Sequence, residues 1–156
     1  MTRSYLRFGL GLAVALTVTT VPLFAKVVAS AQRGGNFTPF TAAVLVPLTN
    51  GGATSLSFSG RGAHAISYSA ECSNDGGPGN WVAIEILVDG VPISPVPNTS
   101  GAFCSGNHTS GHDGWTVASY TVRTPALPLG PHIVQVRART IGGTGWLGDS
   151  SLVVTK

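Results

Sequence analysis

The sequence predicts an all-β domain of two packed antiparallel sheets, and three observations carry that expectation. The chain beyond its N-terminal apolar stretch is rich in Gly, Ser, Thr and Val and poor in charges and in good helix formers. No run of ten or more residues there places apolar groups at helical spacing. Short runs alternate apolar and polar residues instead, and Gly, Asn, Asp and Pro punctuate them, which is the pattern of many strands joined by turns.

The N-terminus has the three parts of a secretory signal. Arg3 and Arg7 form a basic region, Phe8 to Ala25 run almost wholly apolar, and Ala29-Ser30-Ala31 offers small residues where a signal peptidase reads them. The expected cut follows Ala31, with a cut after Ala29 as the other option. The alternative is an uncleaved membrane anchor, for which eighteen apolar residues are only just long enough. The expected organisation is therefore a signal peptide over 1–31, a flexible lead-in over 32–40 and a sandwich domain over 41–156. The protein is expected to be secreted, extracellular or periplasmic.

Removing the leader changes the charge. The whole chain has nine basic and six acidic residues and a net charge of +3. Arg3, Arg7 and Lys26 precede residue 32, so six basic residues are left to balance six acidic ones. A nucleic-acid surface needs a basic stripe, and attraction to an anionic membrane needs a basic cluster. Residues 32–156 supply neither, so no nucleic-acid partner and no membrane partner after cleavage are expected.

The strands follow in order. Ala42 to Leu48 reads as a first strand, Asn50-Gly51-Gly52 as a turn, and Thr54 to Ser59 as a second strand with Leu56 and Phe58 on one face. Ala65 to Cys72 alternates Ile66, Tyr68 and Ala70 with Ser67, Ser69 and Glu71. Ser73 to Asn80 has loop composition. Trp81 to Val88 is the most hydrophobic strand, with Val82, Ile84, Ile86 and Val88 on one face and Glu85 on the other. Asp89-Gly90 fits a two-residue hairpin turn. Pro92 puts the return strand at an edge or a bulge. Pro95 to Gly114 reads as irregular, Trp115 to Arg123 as a strand, and Pro125 to Pro131 as a turn region. Pro131 to Thr140 alternates clearly, with Val134, Val136 and Ala138 inward. Ile141 to Gly148 reads as a Gly-rich loop carrying Trp146, and Leu152 to Thr155 as the closing strand.

The two cysteines, Cys72 and Cys104, form an even pair in a chain expected to be exported, and are most simply a disulfide. The alternative is two buried thiols.

The succession Leu87-Val88-Asp89-Gly90, Gly114-Trp115-Thr116, Leu127-Pro128-Leu129-Gly130-Pro131-His132-Ile133-Val134 and Trp146 to Val154 resembles the second half of the carbohydrate-binding jelly rolls. It is also similar to the wider galactose-binding-like sandwiches. The likeness covers about residues 81 to 155. Bacterial immunoglobulin-like and fibronectin-like modules share the Leu127-to-Val134 pattern, so a jelly-roll and an immunoglobulin-like sandwich both stay open. The resemblance implies a non-catalytic binder of an extracellular glycan, with a sugar stacked on Trp115 and Trp146 as a second wall. Asp113 and Asp149 are the carboxylates placed to bond its hydroxyls. An aromatic face suits the C–H face of a pyranose. The chain departs from those modules at Ala118, where they often carry another aromatic. It also lacks, in its N-terminal part, the paired acids with which many of them hold calcium.

Each tryptophan also has a packing explanation. Trp81 opens a core strand, Trp115 alternates with Val117 and Ser119, and Trp146 sits among glycines and is the one expected to be most exposed. A second constellation is His108, His112 and Asp113, which could ligate zinc or another cation, or simply line a polar loop. His64 and His132 read as structural.

Two other function classes stay in view. A secreted structural or surface-interaction sandwich with no small ligand fits the low charge and the Ser/Thr-rich faces. A hydrolase acting on extracellular polymers would need an acid/base pair, for which Glu71 and Glu85 are the candidates. The sequence has no nucleophile elbow, no zinc-protease helix motif and no glycine-rich phosphate loop. No cofactor is expected.

Overall fold

Alternating apolar and hydroxyl-bearing residues generate ten strands and, among the described residues, no helix. The computed structural model describes residues 25–93, 102–106 and 114–156. The strands are β1 (Val27–Arg33), β2 (Val44–Leu45), β3 (Leu56–Gly62), β4 (Ala65–Asn74), β5 (Trp81–Val88), β6 (Val91–Pro92), β7 (Ala102–Ser105), β8 (Thr116–Arg123), β9 (Leu127–Ile141) and β10 (Gly145–Thr155). A four-stranded sheet has the order β1-β10-β4-β8. A six-stranded sheet has β2-β9-β5-β6, with β3 also on β9 and β7 also on β5. Every pairing is antiparallel.

The core lies between the sheets. Side chains two apart in a strand share a face, so each strand presents one apolar row inward. Ile66, Tyr68, Ala70 and Cys72 of β4, with Leu152 and Val154 of β10, meet Val82, Ile84, Ile86 and Val88 of β5 and Val134, Val136 and Ala138 of β9. Each large apolar side chain buried this way contributes about 1.5–3 kcal/mol. Burial also pushes the Tyr68 phenol up to about 12, with Ser150 and the Arg33 charge offsetting part of the effect. The expected disulfide is present. Cys72 of β4 and Cys104 of β7 join the two sheets across the core.

The Asp89-Gly90 turn forms as its sequence requires. Both residues have positive φ, 52° and 80°, which Gly adopts freely and Asp tolerates. The Asp89 carboxylate then ties the hairpin to β9. Its Oδ1 accepts from the Ile133 N–H at 2.9 Å, and its Oδ2 lies 2.8 Å from His132 Nδ1. His132 Nε2 faces the Pro128 carbonyl at 3.0 Å. Both partners are acceptors, so the cationic ring, with both nitrogens donating, is the form this site favours. The Asp89 hydrogen bond raises His132 above its ordinary value of 6.5. The same bond holds Asp89 below 3.8. A raised imidazole stabilises fully below its unfolded value and loses that contribution as pH rises through the folded one. A lowered carboxylate stabilises fully above its unfolded value and loses that contribution as pH falls through the folded one. The melting-temperature gap between the wild type and Asp89→Asn is therefore expected to be widest between pH 3.8 and 6.5 and to narrow on both sides. Thermal melts across pH check this, and a gap that grows above pH 7 contradicts it.

Several segments are more ordered than their composition suggests. Residues 32–40, expected as a flexible lead-in, dock on β10. Gln32 and Arg33 close β1, the Phe37 N–H donates to Leu147 at 2.7 Å, and buried Phe40 exchanges two hydrogen bonds with Gly145. Within Pro95 to Gly114, residues 102–105 form β7, because pairing with Trp81, Val82 and Ala83 satisfies their backbone and the disulfide fixes Cys104 there. The turn expected over 125–131 is largely the start of β9, which pairs with β3 from Leu127 onward. The β5 register on the other edge of β9 ends at Val134. Beyond it no described strand pairs with that edge, so Pro128 and Pro131 interrupt no ladder there. The expected strand over 42–48 shrinks to Val44–Leu45, although Val46 still donates to Val136 at 2.9 Å.

Candidate functional site

The candidate site lies on the outer face of the four-stranded sheet, where β10 carries a bulge. Leu147 pairs with Cys72 and Ser150 with Ala70, so Gly148 and Asp149 together oppose the single residue Glu71. Two residues against one bend the strand and re-aim its side chains. Here the bulge puts Asp149 opposite Glu71, and both line one cavity. Glu71 faces outward because its neighbours Ala70 and Cys72 belong to the core.

Trp115 completes this corner. It immediately precedes β8, and alternation from Val117, which pairs with Glu71, puts it on the outer face. Its ring extends over β4 towards β10. A Cβ at position 148 would lie 2.6 Å from Glu71 Oε2 and 3.3 Å from Trp115 Cζ3. Only glycine admits both groups at that point. Trp146 belongs to the same face, since its neighbour Leu147 points inward and Trp146 itself pairs with Ser73. It is half-buried in β10, not exposed on the loop the sequence suggested; that loop is confined to residues 142–144.

An open cavity of about 460 Å³ adjoins the bulge, lined among others by Gln32, Ser69, Glu71, Val117, Asp149 and Ser151. Val117 is 79% exposed and offers an apolar wall. Ser69 and Ser151 hydroxyls are 2.9 Å apart. Arg33 also reaches the lining, but its donors serve the backbone. Nη1 donates to the Gly35 carbonyl at 2.7 Å, and Nη2 to those of Gly148 at 2.8 Å and Leu147 at 3.3 Å. The buried guanidinium therefore holds the bulge in shape, and its face lies 5.8 Å from the Phe37 ring centroid. Asp149 Oδ1 accepts from the Gly35 N–H at 2.5 Å, which steadies the carboxylate.

Of the sequence-derived site residues, Trp115, Trp146 and Asp149 share this face. Asp113, His108 and His112 lie outside the described residues, as do residues 1–24. Among the described residues no group of three or more His, Cys, Asp or Glu is placed to hold a metal. Trp81 is half-buried in β5, on the other sheet. Glu71 and Glu85 do not form an acid/base pair. Glu85 lies on the outer face of the six-stranded sheet, its Oε2 accepting from Arg137 Nε at 2.7 Å, so the sandwich separates the two carboxylates. His64 is buried, with Nδ1 3.1 Å from the Gly62 carbonyl and its ring edge-on to Phe58.

Sequence reading missed Glu71 as a partner of Asp149. The one signal was the Gly148-Asp149 pair inside an alternating stretch, since an isolated glycine in a strand pattern marks a bulge.

No protein-family model matches the chain, and no curated protein matches it in sequence. Solved structures do match. One is the infectious bursal disease virus Gx strain structure, at 14% identity and a TM-score of 0.49, covering 90% of this chain and 36% of that one. A second is Eiger TNF from S. frugiperda, at 10% and 0.46, covering 82% of this chain and 92% of that one. A third is a family 35 carbohydrate binding module from Clostridium thermocellum, at 13% and 0.32, covering 83% of this chain and 97% of that one. A family 6 module from Cellvibrio mixtus also stands among the neighbours. This chain spans only about a third of the viral proteins it matches.

Proposed function

We propose that this protein is a secreted, non-catalytic binding module that holds an extracellular glycan on the outer face of its four-stranded sheet. The observation that carries the reading is the β10 bulge, where Asp149 and Glu71 line an open cavity and the Trp115 ring reaches Gly148. A sugar offers an apolar C–H face and a ring of hydroxyls. The Trp115 ring and Val117 suit the former. The two carboxylates, the Gln32 amide and the Ser69 and Ser151 hydroxyls suit the latter. Stacking is non-directional and the polar groups fix orientation, which is how small-ligand sites usually divide the work.

The test is a screen of the purified, oxidised protein against a glycan array and insoluble polysaccharides, beside Trp115→Ala and Glu71→Ala. Saturable binding to at least one glycan is expected, weakened at least tenfold in Trp115→Ala, a loss of about 1.4 kcal/mol. Circular dichroism and melting establish that the variants are folded. Retention of no glycan by the wild type, or equal retention by folded variants, overturns the reading and favours a structural module.

A further inference from the structure

We infer that proteolytic maturation leaves β1 intact, with the cut N-terminal to Val27 and the Ala25–Lys26 bond as its site. This rests on the export reading of the N-terminal stretch but not on glycan binding. Residues Val27 to Arg33 run antiparallel along β10, from the Val27–Thr155 pair to the Arg33–Ser150 pair. One step further out, Lys26 and Lys156 exchange two backbone hydrogen bonds, of 3.0 and 2.9 Å. Val28, Ala29 and Ala31 pack against the core.

Those contacts give the Ala29-Ser30-Ala31 tripeptide a second explanation. Ala29 and Ala31 turn towards the core, while Ser30 is exposed. Small, polar, small is here the in-out-in alternation of a sheet edge. A cut after Ala31 would remove five of the seven β1 residues and three core contacts. It would also leave the Leu152 to Thr155 end of β10 as a bare edge, its N–H and C=O groups open to another chain. A cut after Ala25 leaves all ten described strands whole. Ala25 is small at the inner position, with Leu23 at the outer one, ends the apolar run, and is exposed together with Lys26.

The experiment is N-terminal sequencing and intact-mass measurement of the exported full-length product, with Ala25→Gln and Ala31→Gln made alongside. The expected product begins at Lys26. Ala25→Gln should abolish that processing, and Ala31→Gln should leave the start unchanged, because the peptidase acts on the chain before it folds. A wild-type product beginning at Ser30, at Gln32 or at Met1 overturns the inference, and so does loss of processing in Ala31→Gln alone.

Discussion

Replacing Cys72 and Cys104 together by Ala is expected to lower stability by about 3–4 kcal/mol. The bridge closes a loop of 32 residues, so its removal releases chain entropy in the unfolded state. The native state also suffers. β7 is four residues long and pairs with β5 at three positions, and the bridge is the covalent tie between that short strand and the opposite sheet. At the size of this domain the expected fall in melting temperature is about 10–20 °C. Reducing the wild type should reproduce it. The Ala pair is preferred to Ser because Cys72 is fully buried and a hydroxyl there would add an unpaired polar group. A change below about 1 kcal/mol would mean that β7 is held by its pairing alone.

The second large effect is expected at the Glu85–Arg137 pair. Glu85 is central in the six-stranded sheet with a side chain only 8% exposed, and Arg137 lies opposite it in register. Arg137→Ala leaves a buried carboxylate without its cation and is expected to cost about 2–3 kcal/mol, below the usual range for a buried pair because Arg137 itself is 40% exposed. Adding Glu85→Leu in the Arg137→Ala background should restore most of the loss, since a matched apolar residue carries no desolvation penalty. Arg137→Lys should fall between, because ammonium lacks the planar fork of the guanidinium. Urea titrations of the four proteins, with Glu85→Leu alone to close the cycle, measure the coupling directly. If Arg137→Ala were neutral, the carboxylate would be solvated and the outer face of β5 open.

The parts of the fold legible in the sequence are those where one strand's own alternation decides. β5 matches its sequence boundaries, Trp81 to Val88, because every residue in it is apolar or paired and Asp89-Gly90 ends it sharply. Val134, Val136 and Ala138 of β9 face inward as their spacing requires. What stayed hidden depends on partners distant in sequence. β1 looks like the tail of a leader until β10 pairs with it. β7 looks like loop until β5 and Cys104 hold it. Trp146 looks exposed among glycines until β10 is seen to start at Gly145. The site shares this limit. Trp115 and Asp149 stand out by residue type, but their meeting with Glu71 depends on a one-residue bulge, and a register shift leaves no trace in composition.

The central claim, that the bulged corner of the four-stranded sheet receives a sugar, is tested most directly by following the three indole N–H resonances. The protein would be titrated with soluble oligosaccharides of cellulose, xylan, mannan, galactan and chitosan. Trp115 and Trp146 share the outer face of that sheet, and Trp81 on the opposite sheet is the internal control. The Trp115 signal is expected to move saturably with one of these sugars, Trp146 to follow on the same binding curve, and Trp81 to stay still. A Trp115 signal that ignores every sugar, or a Trp81 signal that moves as far, would contradict it.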